Sequence, residues 1–385
     1  MSRGGPKRAP GARKSRTKHD SYRRAPFVVS YWQDGEFVLE NFLTQRRVSC
    51  DPLTASILHF FGRDRSLSDL FTALPEYTAT SLRSAVRTLA AHSLLQRSGE
   101  KSPNEEKLAA WRDWNPVASY FHLSTKDMKF AADAAEEFRS VVRLAKSKPM
   151  PRPIKRYAKS RQIALPAPDT QSEFPRVLEA RRTWRRFSSL AVSQKTLGTL
   201  LGLTWGVRHW VKIPQLGEVA VKTSPSGGAL HPIEAYVLAR NVENLPSGLY
   251  HYNGADHRLE LLRSGATSKQ ITRWLVNQYW YGGAALIVIM TAVFGRTQWK
   301  YDYPRAYRAT LLEAGHLCQT FCLTATWLGL APFCTLAFAD SAVEKAIGVD
   351  GVSESALYVA GAGMRPQDDR EAHLLSGSET TGLKL

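Results

Sequence analysis

The chain has 385 residues and a formal net charge of +18, and 43% of its residues are hydrophobic. This length exceeds one average domain and suits two or three, while the apolar content is ordinary for a globular protein. The longest apolar run, residues 284–292, is too short to span a bilayer and is typical of a buried strand. The sequence therefore predicts no membrane-spanning segment.

The positive charge is concentrated in two segments. Residues 1–24 hold nine Lys or Arg residues and a single acidic residue, Asp20, which predicts a disordered basic tail. Residues 146–161 hold seven Lys or Arg residues among prolines and no acidic residue, which is typical of an extended linker. Because so much of the charge lies in these segments, we do not expect a surface built to read nucleic acid.

The cysteines and the N-terminus indicate the compartment. No apolar signal-peptide segment is present near the N-terminus, so we expect a cytoplasmic protein. Cys50, Cys318, Cys322 and Cys334 lack the paired spacing of a metal site. Cys318 and Cys322 are four apart on a predicted helix, which favours buried thiols. We therefore expect no structural metal.

Residues 25–100 contain three short helical patterns, which predict a small winged-helix-like module. The predicted capping residues are Thr54, Ser66 and Thr80 or Ser81. Such modules bind DNA or dock peptides, and only Arg83 and Arg87 are candidates for reading bases. A peptide-docking or structural role is therefore favoured. Residues 101–172 are predicted to be a connecting helical segment followed by the basic linker.

From residue 173 to residue 366, strand and helix patterns are mixed, which predicts an α+β domain with a central sheet flanked by helices. Strands are predicted at 233–240, 248–253, 258–262, 284–293, 332–338 and 355–361. Helices are predicted through Arg186 and at 194–206, 268–279, 305–328 and 341–347. Residues 367–385 are predicted to be a flexible tail.

Residues 224–240, SPSGGALHPIEAYVLAR, join two glycines to an alternating apolar strand. Glycines allow a backbone to approach a flat or anionic ligand closely, and Ser226 is a candidate cap for a short helix. An ordinary glycine-rich turn is the alternative. Residues 180–187, ARRTWRRF, suggest a phosphate clamp, because Arg181 and Arg185 would share one helix face. A solvated basic face is the alternative.

Two further segments contain residues that move protons. Lys300 and Tyr301 place an amine beside a phenol just before a helix, and either group transfers a proton if its environment permits. An exposed lysine beside a packing tyrosine is the alternative. The following helix, LLEAGHLCQTFCLTATW, is mostly apolar and predicts the central buried helix of the domain. His316 on this helix is interpreted as an interior structural residue.

The order of these segments resembles the nitroreductase superfamily of FMN enzymes. ARRTWRRFS, SPSGGALHP, the KY pair before the LLEAGH helix, LGL and a final GAG strand occur in that order. The similarity is greatest to SagB-type (McbC-like) dehydrogenases, the azoline oxidases of ribosomal-peptide biosynthesis. It covers residues 25 to 365 and is specific as a set.

The resemblance implies the site residues. Contacts to the FMN phosphate and ribityl chain fall on Arg181, Arg182, Thr183 and Arg185, with Arg365 as a looser match. The loop that lines the isoalloxazine ring falls on Pro225, Ser226, Gly227 and Gly228, with its backbone N–H groups near the ring. The catalytic pair falls on Lys300 and Tyr301. Asp302 departs from the pattern and, if paired with Lys300, would weaken a role as base.

The resemblance also implies the reaction. A thiazoline or oxazoline ring loses a proton to a base and a hydride to flavin N5, which gives the thiazole or oxazole. Lys300 would be the base, Tyr301 would assist, and oxygen would reoxidise the flavin. Implied partners are a precursor peptide, a second copy of the chain in a homodimer, and a cyclodehydratase complex. The alternatives are an NAD(P)H-dependent nitroreductase or flavin reductase, a non-catalytic flavin- or peptide-binding subunit, and a DNA binder fused to a flavin sensor.

Overall fold

The structure is a computed structural model. It describes residues 20–100, 105–109, 111–130, 134–148, 163–276 and 278–367, together with residues 151, 153–155, 159 and 161. Contacts between residues divide the chain into two compact units at Ser124 and Thr125. The predicted C-terminal tail, most of the predicted basic tail and part of the linker lie outside the described residues.

The first unit contains two three-stranded antiparallel sheets and short helices. Its strands are β1 (Ser21–Arg24), β2 (Val28–Gln33), β3 (Glu36–Asn41), β4 (Arg46–Ser49), β5 (Arg65–Ser66) and β6 (Leu95–Arg97). Its helices are α1 (Pro52–Phe60), α2 (Leu67–Ala73), α3 (Ala79–Ala91), α4 (Glu105–Ala109) and α5 (Val117–Ser124), with a 3-10 turn at Arg112–Trp114. The sheet β5–β1–β6 packs with α1, α2 and α3 around one apolar core.

The caps of these helices partly match the prediction. Ser66 caps α2 in a capping box with Asp69, as predicted. The cap of α1 is Asp51 rather than Thr54, because Pro52 fixes the first helical residue and the Asp51 carboxylate accepts from the Thr54 N–H. Helix α3 is capped by Thr78, two residues before the predicted cap. Strand β1 lies within the predicted basic tail, so regular structure begins before residue 25. The winged-helix-like character of the unit stays a prediction.

The second unit is built on a six-stranded antiparallel sheet with the order β11–β10–β9–β12–β14–β13. The strands are β7 (His209–Ile213), β8 (Gly217–Val221), β9 (Ile233–Ala239), β10 (Gly248–Asn253), β11 (Arg258–Ser264), β12 (Leu286–Val293), β13 (Leu330–Thr335) and β14 (Glu354–Met364). The helices are α6 (Ala134–Ser147), α7 (Glu173–Ala180), α8 (Gln194–Trp205), α9 (Ser268–Trp274), α10 (Phe294–Gln298), α11 (Ala306–Trp327) and α12 (Asp340–Ile347), and 3-10 turns occur at Gly227–Ala229 and Tyr279–Gly283. The predicted α+β class with helices around a central sheet is confirmed.

Burial explains why these segments form the core. Strand β12, the apolar run noted in the sequence, is paired on both sides and is almost entirely buried. Helix α11 contacts α8, β13 and β14, which buries its apolar side. Strands β7 and β8 form a separate hairpin that the sequence analysis missed. Among the helices that the structure describes, none combines the length and apolar character that crossing a bilayer requires.

Candidate cofactor and active site

The glycine loop between β8 and β9 is held close to the Lys300–Tyr301 pair. Gly228 has a positive φ of 67°, a conformation that L residues rarely adopt. A Cβ at Gly228 would lie 2.9 Å from Lys300 Nζ and 3.0 Å from Tyr301 Oη. The missing side chain therefore permits the contact between this backbone and the two side chains. Gly227, Gly228 and Pro225 are exposed at the surface of the chain.

Helix α11 fixes the loop at two points. The N–H of Gly227 donates to Glu313 Oε1 at 2.8 Å, and the hydroxyls of Ser224 and Thr320 are 2.8 Å apart. Thr320 follows Glu313 by seven positions. The rotation around the helix axis over that distance is about 20° short of two turns, so both side chains lie on one face of α11. Burial raises the pKa of the Glu313 carboxyl.

The loop differs from the prediction in two hydrogen bonds. Ser226 does not cap the 3-10 turn; its Oγ accepts from the N–H of His231 at 2.9 Å. The N–H of Gly227 is bound to Glu313, so it is not directed to a ligand. The N–H of Gly228 has no partner among the described residues. Of the two glycines, Gly228 is therefore the donor available to a bound ring.

The KY pair precedes helix α11, as predicted, and follows the short helix α10, which was not predicted. The N–H of Tyr301 donates to the carbonyl of Thr297 at 3.0 Å, which places the phenol beside the loop. The Lys300 amine lies 5.5 Å from the centre of the Tyr301 ring. Lys300 and Asp302, both within the described residues, form no ion pair. Lys300 is exposed, so the desolvation expected of a base is not supplied by this chain alone.

A cavity of about 1010 Å³ adjoins the loop and Lys300. Its walls include Gly228, Lys300, the hairpin β7–β8 and five further charged or titratable side chains, Lys222, His231, Glu234, His251 and Arg296. Burial lowers the pKa of the Lys222 amine. A hydrogen bond to Glu234 raises the pKa of His251 to about 8. The space beside the predicted catalytic pair is therefore lined by polar groups as well as by apolar side chains of the hairpin.

The arginine segment is not helical, contrary to the prediction. Helix α7 ends at Ala180, and Arg181 has extended backbone angles. The N–H of Trp184 donates to the carbonyl of Pro332 on the edge strand β13 at 2.9 Å, so the chain lies beside the sheet instead of continuing the helix. Arg181 and Arg185 therefore do not share a helix face.

Two arginines lie near the ring of Trp184. The guanidinium of Arg182 lies 3.8 Å from the Trp184 ring and that of Arg365 lies 5.6 Å from it. Arg365 also donates to the carbonyls of Leu330 and Thr326 at 2.9 and 2.8 Å. The indole N–H of Trp184 is buried without a hydrogen-bond partner in the described part of the chain. The structure thus brings cationic groups and an unsatisfied donor together at one place.

Comparison with known proteins identifies the second unit. Residues 178–363 match the model of the Nitroreductase family. These residues form a nitroreductase-family domain. It contains both the glycine loop and the KY pair, and it begins just before the arginine segment. The resemblance expected from the sequence is confirmed.

Relatives of this chain include proteins named for the processing of trifolitoxin and of microcin B17. The chain is 27% identical to the trifolitoxin-processing protein TfxB of Rhizobium leguminosarum bv. trifolii, over 77% of this chain and 83% of TfxB. It is 31% identical to the microcin B17-processing protein McbC of Escherichia coli over 38% of this chain, and the match spans about half of McbC, 55%. A chain of the E. coli microcin synthetase McbBCD complex with truncated pro-MccB17 aligns at a TM-score of 0.47 and 22% identity, covering 70% of this chain and 99% of that chain.

The nitroreductase domain offers two groups of residues that fit a flavin nucleotide. The loop cluster comprises residues 224–228 with Lys300, Tyr301 and Glu313, and its exposed glycine backbone suits a flat ring. The arginine cluster comprises Arg182 and Arg365 beside Trp184, together with Arg181, Thr183 and Arg185 of the same chain segment as Trp184, and its guanidinium groups suit a phosphate. These observations fit FMN in its ring and its phosphate.

The two clusters contact different faces of α11. The loop contacts Glu313, whereas Arg181 is close enough to act electrostatically on the thiols of Cys322 and Cys334. Cys318 lies about 140° and Cys322 about 180° around the helix from Glu313, because they follow it by five and nine residues on a helix of about 3.6 residues per turn. The residues predicted to bind one cofactor are therefore brought together as two sets, not one.

Sequence reasoning missed Glu313 and Trp184 as site residues. A signal existed for each: Glu313 is an acid within the apolar pattern of α11, and Trp184 is the aromatic residue between two arginine pairs. Lys222 had no comparable signal, since its burial depends on the hairpin packing over it. His316, interpreted as interior, is exposed on α11, because its position faces away from the sheet.

Proposed function

We propose that this protein is an FMN-dependent oxidoreductase that oxidises thiazoline or oxazoline rings to thiazoles or oxazoles in a ribosomally made peptide. One observation supports this most directly: the exposed backbone of Gly228 lies against Lys300 Nζ and Tyr301 Oη at the edge of a cavity. A ring bound on the loop would have a proton acceptor beside it and space above it. TfxB and McbC are named for the processing of trifolitoxin and of microcin B17, which agrees with this substrate class.

The proposed chemistry divides between cofactor and chain. When bound, FMN supplies a two-electron acceptor for the hydride that leaves the azoline ring. Lys300 Nζ takes the proton from the ring carbon next to the carbonyl, and Tyr301 Oη hydrogen-bonds to the carbonyl oxygen as charge develops there. Glu313 keeps the loop in place by accepting from Gly227, which leaves the Gly228 N–H directed to the ring. The peptide product would have two hydrogens fewer, and oxygen would be the final acceptor of the two electrons.

We propose a homodimer in which one chain's loop cluster and its partner's arginine cluster complete each FMN site. The two clusters lie on different faces of α11, which supports a shared site. A partner would also cover the outward side of α11, where Leu312 and Trp327 are 63% and 51% exposed. It would remove Lys300 from water, which its role as a base requires.

We propose that the cavity holds the peptide segment around the azoline. Apolar residues of the hairpin, Trp210, Ile213 and Leu216, suit the side chains and rings of a modified peptide. Arg296 and Lys222 suit its carbonyl oxygens. A cyclodehydratase would supply the azoline, and the free thiols of the chain agree with a cytoplasmic setting.

The test uses the full chain, purified and supplied with FMN, and a synthetic azoline-containing peptide. Substituting Lys300→Ala is expected to lower the turnover of the FMN-loaded protein by about 100-fold or more, because general-base catalysis commonly contributes that much. The readout is the loss of two hydrogen masses from the peptide, measured beside bound FMN by absorbance. Lys269→Ala, at an exposed lysine of α9, is the matched control.

The other outcomes discriminate between functions. Full turnover in Lys300→Ala would eliminate Lys300 as the base. Bleaching of the flavin by NADH or NADPH, with no change in the peptide, would assign a flavin reductase instead. A preparation that stays colourless with added FMN would remove both proposals, and sedimentation of the same sample tests the homodimer.

A further inference from the structure

Three cysteines that are distant in sequence meet in the second unit. Cys318 and Cys322 lie one turn apart on α11, and Cys334 lies on β13, which packs against that helix. The three Sγ atoms all lie within 4.8 Å of one another. The fourth cysteine, Cys50, belongs to the first unit.

The three thiols are largely removed from solvent. Cys318 and Cys322 are buried, and Cys334 is half-buried. The Tyr358 hydroxyl donates to Cys334 Sγ at 3.4 Å. Arg181 is close enough to act electrostatically on Cys322 and Cys334.

The geometry suits a metal ion better than a disulfide. A disulfide uses two sulfurs and would leave the third thiol beside it without a role. Three sulfurs bound to one ion at about 2.3 Å would be about 4 Å apart, which is within the spacing observed here. Structural zinc takes four protein ligands, whereas this group offers three. Sulfur ligands without nitrogen or oxygen select soft ions, of which monovalent copper is the biological example.

We propose that Cys318, Cys322 and Cys334 form a three-thiolate site for monovalent copper that ties α11 to the edge strand β13. Binding would displace the thiol protons, form three copper–sulfur bonds and leave the oxidation state of the metal and sulfurs unchanged. Arg181 would offset part of the negative charge of the bound site. The sequence predicted no metal here because the spacing of Cys318 and Cys322 alone gives two ligands, and the third comes from a different element.

The test titrates the reduced full-length protein with Cu(I) under anaerobic conditions, in the presence of a competing Cu(I) chelator. One equivalent per chain is expected to bind, with the ultraviolet charge-transfer band of copper thiolates. Substituting Cys334→Ala is expected to weaken binding by more than about 100-fold, because loss of a ligand should cost at least as much as loss of an outer-shell partner. Cys50→Ala should bind as the wild type does.

Thiol trapping with iodoacetamide keeps the proposal testable if a cysteine variant fails to fold. Bound Cu(I) should protect Cys318, Cys322 and Cys334 in the wild-type protein while Cys50 is alkylated. The proposal is overturned if the chelator removes all copper, if Cys334→Ala binds as tightly as the wild type, or if the purified protein carries a disulfide between two of the three residues.

Discussion

The loop cluster and the arginine cluster hold their residues by different means. Directed hydrogen bonds from one helix position the loop, and a positive φ at Gly228 sets its shape. Arg182 and Arg365 instead lie against a buried indole, and Arg365 also donates to the Thr326 carbonyl near the end of α11. A hydrogen-bonded loop fixes atoms to a fraction of an ångström, as a reacting ring requires, whereas stacked guanidinium groups retain freedom to follow a phosphate. We therefore expect substitutions in the two clusters to affect stability, FMN binding and turnover differently.

The largest effect is expected for Trp184→Ala. Removing a buried tryptophan should reduce the free energy of unfolding by about 3–5 kcal/mol and should also weaken FMN binding, because Arg182 and Arg365 lose their common support. Denaturant unfolding and flavin titration measure both. Trp184→Phe keeps a ring and removes the unsatisfied N–H, so its loss should be clearly smaller. Trp32→Ala, at a residue that is 73% exposed, is the control. Equal losses in Trp184→Ala and Trp184→Phe would contradict the role of the ring as a support.

A smaller effect on stability is expected for Gly228→Ala. The new Cβ would displace Lys300 and Tyr301, at a cost of about 1–3 kcal/mol, and FMN affinity and turnover should fall together. Gly217→Ala is the matched control, since Gly217 also has a positive φ, 87°, but has nothing within 4 Å of its Cβ position. The difference between the stability losses of the two variants separates the cost of the contact from the cost of backbone strain. Similar behaviour in both variants would show that the close approach at Gly228 has no function.

The smallest effect concerns His251, whose hydrogen bonds to Glu234 and Glu260 lie in the cavity wall beside the loop. Its pKa is raised to about 8, so its contribution to stability is complete below about 6.5 and is lost as the pH rises through about 8. Solvent screening limits this contribution to about 1 kcal/mol. The free energy of unfolding, measured across this range, should fall in the wild type and in His209→Gln. The curve of His251→Gln should be flatter, and an unchanged slope would refute the assignment.

The sequence predicted those elements whose pattern reflects their own burial. Strand β12 and helix α11 were predicted to within two residues, because a doubly covered strand and a packed helix show their periods directly. The hairpin β7–β8 was missed, since all five residues of β7 are exposed and no buried face marks it. The helix predicted through Arg186 ended at Ala180, because Pro332 on β13 offered a carbonyl that no local pattern reveals.

The candidate site also divides into features visible in the sequence and contacts that depend on packing. The resemblance assigned Gly228 to the loop that lines the flavin ring and Lys300 and Tyr301 to the catalytic pair, and the structure brings the three residues together. The hydrogen bond from the Gly227 N–H to Glu313 and the proximity of Cys334 to α11 depend on how the elements pack. Residue spacing along the chain does not specify this packing.

Two loop contacts and two thiols share the stretch of α11 between Glu313 and Cys322, and each depends on a fixed angular position. Inserting one residue after Glu313 would rotate every later side chain by about 100° relative to it. Thr320 would then leave Ser224, and both cysteines would turn from Cys334. This stretch should therefore accept substitutions far more readily than any change in its length.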